Sequence, residues 1–546
     1  MKNIFTILVL LTAIESAPAQ VTQEWVARYN GPGNSNDRAT SIAVDGSGNI
    51  YVTGNSRVTG TGDDYATIKY NSSGVQQWVR IYNGSGDSTD YALSIAVDGS
   101  GNVYVTGLST GSGTGYDYAT IKYNSSGDLV WVKRYNGPGN SFDVASSIAV
   151  DGTGNVYVTG YSNGNRDSLN STGLDYATIK YNSSGDSVWV KRYNGSGNFE
   201  DIATSIVVDD LGNVYITGYT GSEPTRDFVT IKYNSSGDSV WVKRYNGPGN
   251  STDQSFSIAV DGSGNVYVTG EIRGSETSYD YATIKYNSSG DSIWIRKYNG
   301  PGNYFDEANS IVVDDSGNVF VTGRSNGVGT NFDYATIKYN SLGDSVWVKR
   351  YNGPGNVDDN ATSIAVDGSG NVYVTGSSSG LGTGLDYATI KYNSSGDSVW
   401  VKRYNGPGNY YDEATSIAVD GYGNVYVTGS SGGIGSGADY ATIKYSQSTG
   451  IGQISSNIPE EYSLSQNYPN PFNPATNLEF GISDLGFVSL KVYDILGKEI
   501  ITLVNEKLSP GNYKVEFDGR GLTSGVYFYR LNTGEFTDTK RMILIK

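Results

Sequence analysis

The chain has no His and no Cys, so any acid–base or nucleophilic chemistry must use carboxylates, amines, hydroxyls and phenols. The missing imidazole removes the usual general base, the Ser-His-Asp arrangement and the commonest zinc ligand. The missing thiol removes disulfides and thiolate nucleophiles. Two series of carboxylates then stand out by their spacing. One is Asp37, Asp90, Asp143, Asp201, Asp253, Asp306, Asp359 and Asp412; the other is Asp64, Asp117, Asp175, Asp227, Asp280, Asp333, Asp386 and Asp439. Such a ring could hold a cation. The same side chains could instead accept backbone N–H bonds at a repeated turn. Recurrence in every repeat favours the turn role, because a site needs only one or two copies.

Charges confined to particular repeats are the better candidates for binding. Arg166 and Asp167, then Glu223 and Arg226, then Glu271, Arg273 and Glu276, then Arg324 fall in four consecutive repeats, the third to the sixth. The matching segments of the seventh and eighth, Ser377 to Leu385 and Ser430 to Ala438, are almost entirely Gly, Ser and small apolar residues. These eight side chains form the predicted ligand-binding set. Arg166, Glu223, Arg226, Glu271, Arg273 and Arg324 are expected to lie exposed in one arc. Carboxylates for glycosidase work exist, but no spacing fixes a pair at the required separation, so no catalytic residue is assigned.

Other motifs lack the context their chemistry needs. Asp-Gly-Ser-Gly-Asn, as at Asp98 to Asn102, has neither the alternating acids nor the closing Glu of a calcium loop. The string Gly111 to Gly115 has no Gly-Lys-Ser/Thr and no following helix, so it is not a phosphate cradle. No metal site and no cofactor are assigned. A net charge of −17 without a basic block argues against a nucleic-acid partner.

The scaffold that must carry these residues is repetitive. The eight Trp, at 25, 78, 131, 189, 241, 294, 347 and 400, fall one per repeat with spacings of 53, 53, 58, 52, 53, 53 and 53. Each repeat reads as four short strands: Ser41 to Val44, Ile50 to Thr53, Tyr65 to Tyr70 and Trp78 to Tyr82 in the first copy. Each is β-branched or aromatic and bounded by turn residues. Asp45 to Gly48 and Asn71 to Gly74 read as hairpin turns, because Gly and Asn accept positive φ cheaply. Four-stranded units of this length, repeated four to eight times, are the pattern of propeller blades. Alternation then puts the two repeated turns on one face, and the blade-to-blade and second-to-third-strand loops on the other. The first face is nearly identical in every repeat; the second varies, and function tends to sit on such loops.

The repeats resemble the bacterial β-propeller repeat family called SBBP, and the segment Ile-Ala-Val-Asp-Gly-Ser-Gly-Asn-Val-Tyr-Val also resembles NHL-type blades. The family name implies seven blades, whereas this chain offers eight. The resemblance implies that the first strand is innermost and the Trp strand outermost. The region opens on a lone fourth-type strand, Trp25 to Tyr29, and ends on a third-type strand, Asp439 to Tyr445. Pairing these two would satisfy both edges and close the eighth blade. The expected fold is therefore all-β, an eight-bladed β-propeller of four strands per blade closed by the N-terminal strand, followed by a small β-sandwich.

Residues 1–19 read as a signal peptide. Lys2 precedes the apolar run Ile4 to Ala13, and Ala17 and Ala19 suit a cut between Ala19 and Gln20. The run is too short to span a bilayer, and no transmembrane segment is expected in the mature chain. Residues 20–445 are assigned to the propeller, 446–460 to a linker and 461–546 to the sandwich, read as roughly seven strands. That last region contains Tyr468 to Pro474, Leu490 to Lys498, Leu522 to Tyr529 and Lys540 to Lys546. Together these resemble the type A sorting domain of the type IX secretion system, with Phe517 where many members carry Trp. The resemblance implies the secretion machinery as partner, and an extracellular or outer-surface location on a Gram-negative bacterium. The expected function is a non-catalytic binding or structural protein whose ligand is an extracellular glycan or protein. The alternative is an extracellular polysaccharide- or peptide-processing enzyme that uses carboxylates on the variable face.

Overall fold

Short β-branched strands separated by Gly- and Asn-rich turns can satisfy their backbone only by pairing with each other. Among the described residues every regular element is a strand. The structure is a computed structural model that describes residues 21–164, 173–274, 278–421, 423–447, 452–455, 457–520 and 522–546. The signal segment and its cut at Ala19 and Gln20 lie outside them.

Residues 23–445 form one unit of eight four-stranded antiparallel sheets. In the first blade the strands run Asp37–Val44, Ile50–Val58, Gly62–Tyr70 and Gln76–Tyr82, paired in chain order. The eighth sheet is completed by the N-terminal strand Val21–Tyr29, which pairs with Ala438–Gln447. The clasp is reinforced by side chains: Lys444 meets Glu24 at 2.8 Å and Arg28 meets Asp439 at 2.8 Å.

First strands line the inside of the ring and touch their neighbours there. Thr40 donates to the Ala92 carbonyl at 2.8 Å, Thr204 to Ser255 at 3.0 Å, and Thr415 to Ala39 at 3.0 Å, which closes the circle. The core lies between blades. On one interface Tyr51, Tyr65 and Trp78 of the first blade pack on Ala92, Ile95, Val103, Val105, Ala119 and Ile121 of the second. Large rings on one face of each sheet thus meet small and β-branched residues on the next. The Trp side chains from 78 to 400 are buried and Trp25 is half-buried. The positive-φ Gly of each Asn-Ser-Ser-Gly turn lies against the Trp of the preceding blade: a Cβ on Gly290 would sit 2.8 Å from the Trp241 ring.

First and second strands are longer than the sequence suggests, and one glycine explains it. Gly54 reads as the end of a strand. Here it continues the strand, because a bulge between Ala39 and Ser41 pushes the Arg38 carbonyl to within 2.0 Å of where a Cβ would stand. The pairing then runs on through Arg38 and Asn55 to Asp37 and Ser56. The same bulge recurs in the other first strands, so each blade gains an extra row of side chains on the variable face.

In the C-terminal unit two four-stranded sheets enclose one core. One is built from Gly452–Ser455, Gly511–Asp518, Ala475–Ile482 and Ser463–Leu464, the other from Glu499–Leu508, Gly486–Tyr493, Gly525–Asn532 and Thr537–Leu544. Eight strands thus stand where roughly seven were expected. Residues 452–455, read as linker, form a strand because they pair with the segment around Tyr513. Phe517 is buried edge-on against Phe472.

Candidate functional site

The two faces of the ring treat their carboxylates differently. On the turn face, Asp261 accepts from the Ser263 and Asn265 amides at 2.9 Å, from the Asn265 side chain at 2.8 Å and from the Tyr267 hydroxyl at 2.8 Å. Although burial opposes ionisation, these bonds together hold the carboxyl below its ordinary range. Asp45, Asp98 and Asp151 are held the same way, the last down to about 2. Repeated Lys residues are also engaged: Lys122 donates to the Ser183 carbonyl at 3.0 Å.

The two recurrent Asp series on the variable side act as structural fasteners. Asp37 accepts from the Gly31 amide at 2.6 Å and the Arg57 amide at 3.1 Å, which clips the incoming loop to the second strand. Each Asp that opens a third strand faces the fourth. Arg134 meets Asp117 at 2.8 Å, Arg350 meets Asp333 at 2.7 Å, and Arg403 meets Asp386 at 2.7 Å. Arg350 also reaches the Tyr298 hydroxyl of the preceding blade at 3.0 Å. The sequence reading does not single out these Arg partners, although their recurrence before Tyr at the end of six of the eight fourth strands is there to find. In the first blade Ile81 occupies that position, and burial pushes Asp64 up to about 6.

The extra row created by the bulge is where blades differ. Its cross-strand pairs are Arg38 with Asn55, Tyr91 with Leu108, Val144 with Tyr161, Ile202 with Tyr219, Gln254 with Glu271, Glu307 with Arg324, Asn360 with Ser377 and Glu413 with Ser430. Paired residues project to the same side of a sheet. The row is therefore a circle of unlike side chains, aromatic and charged from the third blade to the sixth.

Within it, Arg324 holds Glu307 at 2.6 Å and lies over the rings of Phe305 and Phe332 at 5.2 and 4.9 Å. Arg226 bridges Glu200 and Glu223, both at 2.9 Å, and covers Tyr219 at 5.1 Å. Arg273 is exposed and sits 5.9 Å from the Tyr279 ring. Glu223 is exposed, whereas Arg226 and Arg324 are half-buried. Glu271 departs most from expectation: it is only 7% exposed, and its Oε2 has no hydrogen-bond partner among the described residues. The sequence pattern places Glu271 and Arg324 in exposed loops. They belong to strands continued past Gly270 and Gly323, and the next blade covers Glu271. Burial first, and Glu307 second, push its carboxyl up to about 8 against the pull of Arg324. Arg166, Asp167 and Glu276 lie outside the described residues.

Two further groups were missed. The blade-to-blade loops carry two free choices between a left-handed Asn (φ 48° at Asn140, 54° at Asn198) and the repeated Asp. Aromatics occupy them at Phe142, Phe199, Tyr304, Tyr410 and Tyr411, all exposed. The unit-specific residues between the repeated Asn and Asp were the available signal. At the first and second blades a cavity of about 650 Å³ is lined by Arg38, Asn55, Arg57, Asp63, Tyr91 and Leu93, among others. No charge pattern in the sequence marked it, because its walls come from two repeats.

Comparison with known proteins bears on both units. The beta-propeller repeat family matches eight times, at residues 24–60, 77–113, 130–166, 188–224, 240–275, 293–333, 346–382 and 399–435. The secretion system C-terminal sorting domain family matches residues 466–546. A curated protein, the uncharacterized WD repeat-containing protein L264 of Acanthamoeba polyphaga mimivirus, is 25% identical over 456 residues. The match covers 68% of this chain and 32% of that protein, so the chain spans about a third of its length. Among solved structures, PorZ is described as an essential bacterial surface component of the type-IX secretion system of Porphyromonas gingivalis. It is 12% identical, with a TM-score of 0.28 over 93% of this chain and 81% of that chain. Polysaccharide lyase Uly1 is 12% identical, with a TM-score of 0.39 over 67% of this chain and 92% of that chain. Structural similarity at these scores carries no argument about activity.

Proposed function

The chain belongs to the SBBP beta-propeller repeat family and carries a sorting domain that marks proteins exported by type IX secretion to the cell surface or extracellular space, and from that premise we propose that it is a non-catalytic protein that binds a glycan on the variable face of its ring. The sorting domain is the part the secretion machinery recognises, which leaves the propeller for the mature task. One observation carries the reading: unlike polar and aromatic side chains gather around one face in consecutive blades, while the other face repeats itself and satisfies its own polar groups. Exposed rings such as Phe199 and Tyr304 offer flat apolar surface to sugar faces, and the neighbouring Glu223, Arg226, Arg273 and Arg324 offer donors and acceptors for hydroxyls.

A glycan array with the purified full chain tests this. Binding that falls when Arg273 and Tyr304 are replaced by Ala supports the proposal; no binding to any glycan refutes it. A second reading has one observation behind it. A carboxyl pushed up to about 8, as Glu271 is, stays protonated near neutral pH, which a general acid needs. Polysaccharide hydrolysis lost in Glu271→Gln would establish that reading instead.

A further inference from the structure

The cavity between the first and second blades lies on the same face but outside the charged sector, and its chemistry is different. Arg38 projects from the first strand and Asn55 from the second, as direct cross-strand partners. Among the described residues neither side chain makes an intramolecular hydrogen bond or ion pair. Around them the polar groups are engaged. Arg57 meets Asp63 at 3.3 Å, and the Tyr91 hydroxyl donates to the other oxygen of Asp63 at 3.0 Å. Asp63 is therefore neutralised by Arg57, and the guanidinium of Arg38 is left as an uncompensated positive charge in a concave site. That is unusual on a chain of net charge −17. At its position other blades carry Tyr, Val, Ile, Gln, Glu, Asn and Glu, so the repeat does not require a cation there.

A cavity of about 650 Å³ is within the size range of small-molecule sites. A fork of N–H donors recognises a planar carboxylate bidentately. The Asn55 amide suits hydroxyl groups as both donor and acceptor, and Leu93 supplies apolar wall. We propose that this cavity is a subsite for an acidic sugar, with Arg38 receiving the carboxylate of a hexuronate residue and Asn55 its ring hydroxyls. The assignment goes beyond the glycan reading of the charged sector and stands on different residues. A carboxylate could also come from an acidic peptide, and the experiment separates the two sources.

The test is calorimetric titration of the full chain with tetragalacturonate, with its fully methyl-esterified form, and with an acetylated, amidated Glu-Glu-Glu peptide. The acid sugar should bind, the ester should bind at least tenfold more weakly, and the affinity should fall as salt rises. Arg38→Met should weaken the acid sugar at least tenfold while circular dichroism and Tm stay unchanged, since Arg38 is exposed. Leu381→Ser, at an exposed loop tip of the seventh blade, should leave this binding intact. Equal binding of ester and acid, an unchanged Arg38→Met, or no binding by tetragalacturonate overturns the proposal. Peptide binding as tight as the sugar's overturns the sugar assignment. A positive glycan array together with a failed uronate titration would sink this subsite and spare the charged sector.

Discussion

The turn face and the variable face of the ring are built from the same strands and both hold carboxylates, yet they bury some of them in opposite ways. On the turn face Asp45, Asp98, Asp151 and Asp261 each close their own hairpin, accept hydrogen bonds from neighbours within six residues, and ionise more readily because that bonding outweighs burial. Asp151 falls to about 2 in this way. On the variable face Glu271 is buried without saturation and rises to about 8. A buried polar group that is fully bonded is scaffold. One left with an unpartnered oxygen costs stability, on the order of 1–3 kcal/mol; the recurrent Asp117, Asp333 and Asp386 bear that cost on one oxygen while the other pairs with Arg. The contrast also separates recurrence from function. The groups present in every blade fasten the ring, and the groups that differ gather where a ligand could reach.

The contrast makes testable claims. The largest effect belongs to the repeated core beneath the turn face. Trp241→Ala should cost about 3–5 kcal/mol and leave the glycan profile of the folded protein unchanged. Chemical denaturation with the array repeated on the variant checks both halves, and a changed profile would break the division between faces.

The next effect is a pH dependence. Glu271 keeps its proton to about pH 8 when folded and to about pH 4.3 when unfolded. Its contribution to stability is therefore present in full below the lower value and is lost as pH rises through the upper one. Glu271→Gln has no such loss. The variant should match wild type near pH 4 and exceed it near pH 9 by about 2–4 kcal/mol, at 1.36 kcal/mol per pKa unit with an allowance for relaxation. Thermal melts across that range decide it, and parallel curves for the two proteins would remove the unsatisfied carboxyl from the argument.

A smaller loss is expected for Asp261→Ala, which strips one turn of its acceptor: about 1–3 kcal/mol, with no change in binding. The smallest belongs to the loop tips of the last blades. Leu381 and Ile434 are largely exposed, so Leu381→Ser should shift stability by less than about 0.5 kcal/mol. A drop of 2 kcal/mol there would show that those tips are packed, and that the variable face shares in holding the ring.

Much of the scaffold was legible in residue order alone. The eight units, the four strands of each, the turns at Asp45 and Asn71, the closing strand at Trp25 and the sorting domain all follow from patterns a few residues long, repeated. Those patterns are legible because alternation, turn chemistry and positive-φ glycine are local physics. What the tertiary structure alone decided is the site. Gly54 reads locally as a stop, yet it continues the strand because a bulge in the partner strand needs the space of its missing Cβ. Glu271 reads as a solvated loop charge, yet the next blade covers it. The cavity beside Arg38 has walls from two repeats, and no single stretch of sequence contains it. Burial, ion pairing and concavity depend on which surfaces meet once the ring closes, and that is set by contacts between segments far apart in the chain.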